Sequence, residues 1–120
     1  MLYKILLVAT GGACGATVRY LSSVLAEHFI SSTFPIATMT VNVVGAFLIG
    51  LLTGFVSDPQ IKLLLITGIL GGFTTFSTFS LDAVKLYQSG QYLSLAAYVL
   101  GSILLGTVFT AIGLAISSKT

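Results

Sequence analysis

Long apolar runs, separated by short polar clusters, make up most of this chain. A helix needs roughly 20 apolar residues to cross the hydrocarbon of a bilayer, and each run has about that length. Pro35 and Pro59 each precede a run, where the missing amide hydrogen of a proline costs the start of a helix nothing. The pattern predicts an all-α membrane protein with four transmembrane helices. These helices are expected at about residues 5–26, 36–56, 62–84 and 93–116.

Composition places the whole chain in a membrane. Of its 120 residues, 56% are hydrophobic and 7% are charged, which leaves too little polar surface to cover a soluble globule. We therefore expect residues 1–120 to form a single transmembrane domain that contacts lipid and does not bind nucleic acid. Such a multi-pass protein is expected in the cell (plasma) membrane, which in a bacterium is the inner membrane.

Positive charges are nearly balanced between the two ends of the predicted helices. Lys4, Lys62 and Lys119 fall on the side of the chain termini, whereas Lys85 and Arg19 lie toward the other side. A strong excess of Lys and Arg in cytoplasmic loops normally fixes topology, and this chain has almost none. The balance predicts an antiparallel, dual-topology dimer about a two-fold axis in the membrane plane. A single orientation with a weak bias is the alternative that the charges leave open.

Small residues spaced four apart occur in the first three runs. This spacing lets helix backbones approach closely, although it is common in membrane helices. We expect these residues to pack helices together. The pairs are Gly11 and Gly15, Gly12 and Ala16, Gly50 and Gly54, and Gly68 and Gly72.

Glycines, hydroxyls and phenylalanines crowd the stretch from Gly71 to Ser80, where a lipid-spanning helix would be plainly aliphatic. Irregular backbone at membrane depth is tolerated only against protein or around a bound ion or water path. The composition predicts that the third helix is broken near Gly71 to Ser80 and that the break is a functional site. The carbonyl groups of Gly71 and Thr74 flank this break, and a hard cation such as Na+ favours oxygen ligands of this kind.

Two polar side chains lie deep within the first two runs. Arg19 is costly in hydrocarbon unless it snorkels, pairs or faces water. It either anchors its helix at the interface beside Tyr20 or raises the anion concentration at a pore mouth. Asn42 either ties helices together or offers its two amide hydrogens to a passing ligand.

Hydroxyl groups follow one another along the fourth run. Tyr98, Ser102 and Thr110 belong to an i, i+4 series in which Gly106 takes the intermediate place. Such hydroxyls either solvate a small ion or bond to their own backbone one turn back.

Two phenylalanines stand just after the expected break. Phe76 and Phe79 are three residues apart on one helix face, with Ser77 and Thr78 between them. Aromatic rings have positive edges, so the pair can touch an anion. Packing is the simpler alternative for phenylalanine in a membrane helix.

Three segments together resemble the signatures of the CrcB/Fluc family of fluoride channels. They are GGACGATVRY at residues 11–20, NVVGAFLIG at residues 42–50 and GGFTTFSTFS at residues 71–80. The resemblance implies a dual-topology dimer of four-helix subunits that carries fluoride passively out of the microbial cytoplasm. It further implies two antiparallel pores and a structural Na+ at the centre of the dimer. Pairing with a second, homologous subunit as a heterodimer stays open.

The resemblance also assigns roles to individual residues. It places Arg19 near an aqueous vestibule and gives backbone carbonyls of Gly71 and Thr74 to the Na+. Gly106 stands where the family often has a hydroxyl, which weakens the carry-over for Thr110. The fluoride path is assigned to Asn42, Phe76, Phe79, Ser77, Thr78, Tyr98, Ser102 and Thr110.

Two other functions compete with a channel. A small dual-topology multidrug exporter needs a membrane-embedded carboxylate, whereas Glu27 and Asp58 lie at helix ends and Asp82 is expected to pair with Lys85 at the surface. A nontransporting membrane scaffold would use the glycine packing but has no use for the break. We do not expect an enzyme, because the sequence offers no cluster of His, Cys and carboxylates.

Overall fold

A computed structural model describes residues 1–30 and 34–118, and the regular elements within these ranges are all helical. Residues 31–33, which are part of the polar break expected between the first two helices, and the side assigned to Lys119 lie outside the described residues. The elements are α1 (Leu2–Phe29), α2 (Ile36–Phe55), α3 (Pro59–Lys62), the π-helical segment π1 (Leu63–Leu70), α4 (Gly71–Phe73), α5 (Phe76–Gln88) and α6 (Tyr92–Ser118).

Four helical spans are long and apolar enough to cross a membrane: Leu2–Phe29, Ile36–Phe55, Pro59–Gln88 and Tyr92–Ser118. The prediction of an all-α membrane protein with four long apolar helices is confirmed. The first and third spans extend beyond the apolar runs at 5–26 and 62–84, because a helix keeps its internal hydrogen bonds after its residues turn polar.

Local sequence explains where the third span starts and stops. Asp58 caps α3 by accepting a hydrogen bond from the Gln60 amide at 2.8 Å, and Pro59 occupies the first helical position. After α5, Gly90 adopts a φ of +74°, a left-handed conformation that favours glycine at a helix end. The Gly90 amide donates to the Tyr87 carbonyl at 3.1 Å. The chain can then reverse into α6.

Within the third span, two residues leave the helical conformation. Thr74 has φ −83° and ψ 156°, and Thr75 has φ −148° and ψ 121°, both in the extended region. They separate residues 59–73, which we call the proximal half, from α5, the distal half. The proximal half contains π1, which is unusual because π-helical turns mostly occur singly and often near functional sites.

The spans pack in two pairs, α1 against the proximal half and α2 against α6. Glycines form both contacts. A Cβ atom on Gly11 would lie 2.5 Å from the Leu64 carbonyl oxygen, and one on Gly50 would overlap the Thr110 carbonyl oxygen. The four-residue glycine spacing therefore serves packing within one chain.

The packing of α1 predicts opposite outcomes for two neighbouring glycines. A Cβ on Gly15 would overlap the Ile69 carbonyl oxygen, whereas a Cβ on Gly12 would find its nearest neighbour at 4.0 Å, an ordinary contact. We expect Gly15→Ala to cost about 1–3 kcal/mol of stability through overpacking, and Gly12→Ala to cost little. Thermal unfolding in detergent measures both. Equal midpoints for the two variants would contradict the close approach of α1 to the proximal half.

Candidate functional site

Asn42 holds the interruption of the third span from the side of α2. Its Oδ1 accepts a hydrogen bond from the Thr75 amide at 2.8 Å, and its Nδ2 donates to the Thr75 carbonyl at 3.0 Å. This pairing is possible because an amide side chain carries both an acceptor and donors, like a strand neighbour. The half-buried Asn42 thus replaces the backbone partners that Thr75 loses on leaving the helix. A second Nδ2 hydrogen remains for another acceptor.

The interruption also removes the usual hydrogen-bond donors of two backbone carbonyls, those of Gly71 and Thr74. In an uninterrupted α-helix, the Thr75 amide would donate to the Gly71 carbonyl and the Thr78 amide to the Thr74 carbonyl. Here the Thr75 amide donates to Asn42, and the Thr78 amide donates to the Thr75 hydroxyl at 3.1 Å. The carbonyls of Gly71 and Thr74 are therefore released from their usual helical donors.

Thr75 also starts the distal half. By accepting from the Thr78 amide, its hydroxyl acts as the N-cap of α5. Thr78 thus contributes its amide to the cap, and Ser77 lies exposed in the first turn of α5. Neither side chain lines the cleft described next.

An open cleft of about 450 Å³ lies beside the interruption. Seven of the residues predicted for ion binding line it together, although they come from three different spans. Arg19, Ser77, Thr78 and Tyr98 are the predicted site residues that do not. The lining residues are Asn42, Gly45, Ala46, Ile49, Ile66, Leu70, Gly71, Thr74, Thr75, Phe76, Phe79, Ser102, Ile103 and Thr110.

Three aromatic rings run from the cleft into the protein. Phe76 is 78% exposed, and its ring centroid lies 5.8 Å from that of Phe79. The Phe79 ring is in turn 5.0 Å from Tyr98, which has no exposed surface. The Tyr98 hydroxyl donates to Asp82 Oδ2 at 3.3 Å. Tyr98 therefore supports Phe79 from behind the cleft.

The hydroxyl groups of α6 differ in their hydrogen-bond partners. The Ser102 oxygen is buried and has no hydrogen-bond partner among the described residues, and Ser102 is one of the residues that line the cleft. The Thr110 hydroxyl donates to the Ala46 carbonyl at 2.9 Å and so links α6 to α2. At Gly106 the nearest atom to an added Cβ would be 4.0 Å away, which leaves room for a side chain.

Arg19 approaches the interruption from α1. Its Nε donates to the Gly72 carbonyl at 3.1 Å, and the side chain is half-buried. The contact joins α1 to α4, next to the residues that Asn42 holds.

Thr75 and Asp82 make contacts in this arrangement that the sequence analysis did not predict. Thr75 lies within the third motif, and the general preference for Thr at a helix N-cap is the one sequence signal for its role at the start of α5. Asp82 was expected to pair with Lys85, yet it accepts a hydrogen bond from Tyr98, sixteen residues away. No local pattern signals that second contact.

Comparison with known proteins places these residues in a family. A sequence profile described as "CrcB-like protein, Camphor Resistance (CrcB)" matches residues 6–114. Among similar proteins, the fluoride-specific ion channel FluC of Hydrogenobaculum sp. is 46% identical over 113 residues, which cover 90% of this chain and 92% of that protein. The FluC of Agrobacterium fabrum is 46% identical over 118 residues, covering 94% of each chain. The FluC of Aquifex aeolicus is 46% identical over 112 residues, covering 88% and 90%. With its four apolar spans and a profile match over most of its length, this chain belongs to the CrcB-like protein family.

Proposed function

We propose that this chain forms a fluoride-specific ion channel that lets fluoride leave the cytoplasm passively and so reduces its toxicity. The observation that carries the proposal is the cleft, where Asn42, Phe76, Phe79 and Ser102 line one cavity in a member of this family. Relatives that match almost their whole length to this chain bear the name fluoride-specific ion channel. The cell membrane, in bacteria the inner membrane, is the expected location.

The donors around the cleft suit a small, strongly hydrated anion. A pore must replace the water around fluoride with other donors while binding it weakly enough for release. The second amide hydrogen of Asn42 and the unpartnered Ser102 hydroxyl can donate to fluoride. The positive ring edges of Phe76 and Phe79 add weak attraction without a fixed charge. Tyr98 backs Phe79, the Thr78 amide completes the cap of α5, and Thr110 links α6 to α2. Ser77 lies exposed in the first turn of α5, beside the break.

A structural Na+ fits the carbonyls beside the interruption. Gly71 and Thr74 line the cleft, and both carbonyls lack their usual helical donors. Backbone oxygens are ligands that a hard cation accepts. Among the described residues no group of three His, Cys, Asp or Glu side chains could hold a metal, so carbonyls are the available ligands there. A bound Na+ would supply fixed positive charge. We expect the purified protein to retain Na+ after it is washed in potassium buffer, which measurement of its sodium content tests. A sodium-free protein that still conducts fluoride would overturn the proposed structural Na+.

We propose further that two copies assemble as an antiparallel, dual-topology homodimer, in which the open cleft and the exposed Phe76 ring face the partner. The interruption at Thr74 and Thr75 would then lie within the membrane against protein, as irregular backbone must. A dimer with a second homologous subunit is the alternative. The near balance of Lys and Arg favours self-pairing.

Dual topology predicts a labelling result. Cys14 is the single cysteine of the chain, so Cys14→Ser combined with Ser57→Cys leaves one exposed thiol in the turn between α2 and α3. An impermeant maleimide added outside intact cells should label about half of the chains, because half would present residue 57 on that side. Labelling of nearly all chains, or of almost none, would indicate one orientation and contradict the antiparallel dimer.

Growth in fluoride tests the direction of transport. Expression in a fluoride-sensitive bacterial strain should restore growth at fluoride concentrations that stop the parent strain. Chloride stress of equal osmolarity serves as the control. No rescue by a protein that reaches the membrane would argue against fluoride export.

The acidic residues do not favour a multidrug exporter. Glu27 lies exposed near the end of α1, and Asp58 caps α3. Asp82 accepts from the buried Tyr98 hydroxyl. Proton-coupled exchange needs a carboxylate that is free to bind a cationic substrate at depth, and none of the three is placed for that role. A nontransporting membrane scaffold would not require the cleft.

A further inference from the structure

The contact between Arg19 and Gly72 suggests a role that neither an interfacial anchor nor a vestibule charge requires. Gly72 lies in α4, directly before the interruption, and in a continuous helix its carbonyl would accept from the Phe76 amide. Phe76 instead begins α5, after two extended residues. Arg19 Nε donates to the Gly72 carbonyl at 3.1 Å, across 53 residues of sequence. The arginine therefore supplies the donor that the interrupted helix lacks.

Packing of α1 brings Arg19 to this carbonyl. Gly11, Gly15 and Arg19 recur every four residues and so share one face of α1, the face against the proximal half. A Cβ on Gly72 would lie 2.5 Å from the Gly12 carbonyl oxygen, so the backbones meet here without an intervening side chain. The backbone that carries Arg19 is thus held close to Gly72 by two tightly packed helices.

We infer that Arg19 is a positioning residue, which fixes the end of the proximal half so that Thr75 can meet Asn42. The carbonyl end of a helix carries partial negative charge, and hydrogen bonds from charged donors are stronger than neutral ones. Arg19 from α1 holds the interrupted segment at Gly72, and Asn42 from α2 holds it at Thr75. The consequence for ion flux rests on the proposed channel function, whereas the effect on the backbone does not.

Two substitutions separate the hydrogen bond from the charge. In R19Q the side-chain nitrogen stands the same number of bonds from Cα as Nε of arginine, so the donor is kept and the charge is lost. In R19K the charge is kept, but a methylene replaces Nε and the ammonium lies one atom further out. R19M removes both donor and charge.

Amide hydrogen exchange in the purified protein reads the backbone directly. Because the loss of a hydrogen-bond donor loosens the segment it held, we expect the amides of residues 73–78 to exchange about tenfold faster in R19K and R19M than in the unaltered protein. R19Q should exchange within about twofold of it. Unchanged exchange along α6 confirms that each variant is folded. If R19Q exchanges as fast as R19M, or if all three match the unaltered protein, Arg19 does not position this backbone.

Fluoride efflux from liposomes gives the second measurement. At about 0.3 M salt, where the Debye length is only several ångströms, long-range attraction by a charge is largely screened. We expect flux through R19Q within about twofold of the unaltered protein, and flux through R19K reduced about tenfold. The reverse order would show that the charge matters and overturn the inference. If the unaltered protein conducts no fluoride, the proposed channel fails, while the exchange result still judges the role of Arg19.

Discussion

Replacing Phe76 and Phe79 together with isoleucine should reduce fluoride flux to the level of protein-free liposomes. Both rings line the cleft, with centroids 5.8 Å apart, and Phe79 rests on Tyr98. Isoleucine keeps an apolar side chain of broadly similar size but has no positive ring edge, so fluoride would lose attraction after giving up its water. Efflux measured with a fluoride electrode gives the result.

A matched change elsewhere controls for the loss of an aromatic ring. Phe55 is 54% exposed at the end of α2 and does not line the cleft, so Phe55→Ile should conduct normally. The double variant should also elute with the same assembly size as the unaltered protein, because isoleucine keeps an apolar side chain where Phe76 would face the partner. Sustained flux through Phe76→Ile/Phe79→Ile would remove the rings from the path. Loss of the assembly would instead assign them to packing.

Asn42→Ala should have the second largest effect, because one side chain makes both hydrogen bonds to the Thr75 peptide. Its removal leaves the half-buried amide and carbonyl of Thr75 without partners, and a fully buried group in that state costs about 1–3 kcal/mol. The change also removes the remaining amide hydrogen from the cleft. We expect at least a tenfold loss of fluoride flux together with a lower unfolding midpoint, measured on the same preparation.

Thr53→Ala provides the comparison on the same helix. The Thr53 hydroxyl bonds to the Ile49 carbonyl one turn back, at an exposed position outside the cleft. Its loss should change neither flux nor midpoint by much, because such local bonds add little to a helix. If Asn42→Ala conducts like Thr53→Ala, then Asn42 is not part of the conduction path and its bonds to Thr75 are dispensable.

The four spans could be predicted from the sequence because bilayer thickness and hydropathy set their lengths. The limits of the third span were harder, since Asp58 and Gly90 determine them through a cap and a left-handed turn beyond the apolar run. The π-helical geometry of Leu63–Leu70 left no trace in the sequence. That segment is apolar on nearly every face, so its periodicity cannot distinguish helix types.

The residues of the candidate site could be predicted more readily than their partners. Polar groups at membrane depth are rare, which made Arg19 and Asn42 visible in the sequence alone. Their partners, Gly72 and Thr75, offer only backbone atoms, and backbone atoms carry no sequence signal. The complete burial of Tyr98 was likewise hidden, because it depends on how α5 and α6 meet.

The interruption of the third span thus depends on side chains from two other spans. Asn42 satisfies the peptide that leaves the helix, and Arg19 satisfies a carbonyl that loses its donor. In a medium without water, each of these backbone groups would cost several kcal/mol if it had no hydrogen-bond partner. Loss of the hydrogen bonds that make irregular backbone tolerable here should therefore impair function.

Ion efflux from liposomes that contain the purified protein tests the channel most directly. Fluoride and chloride are loaded separately, a potassium ionophore holds the membrane voltage, and ion-selective electrodes follow release. We expect rapid release of fluoride and retention of chloride, because the cleft offers donors for a small, strongly hydrated anion. Release of chloride along with fluoride, or of neither ion from a folded assembly, would contradict a fluoride-specific channel.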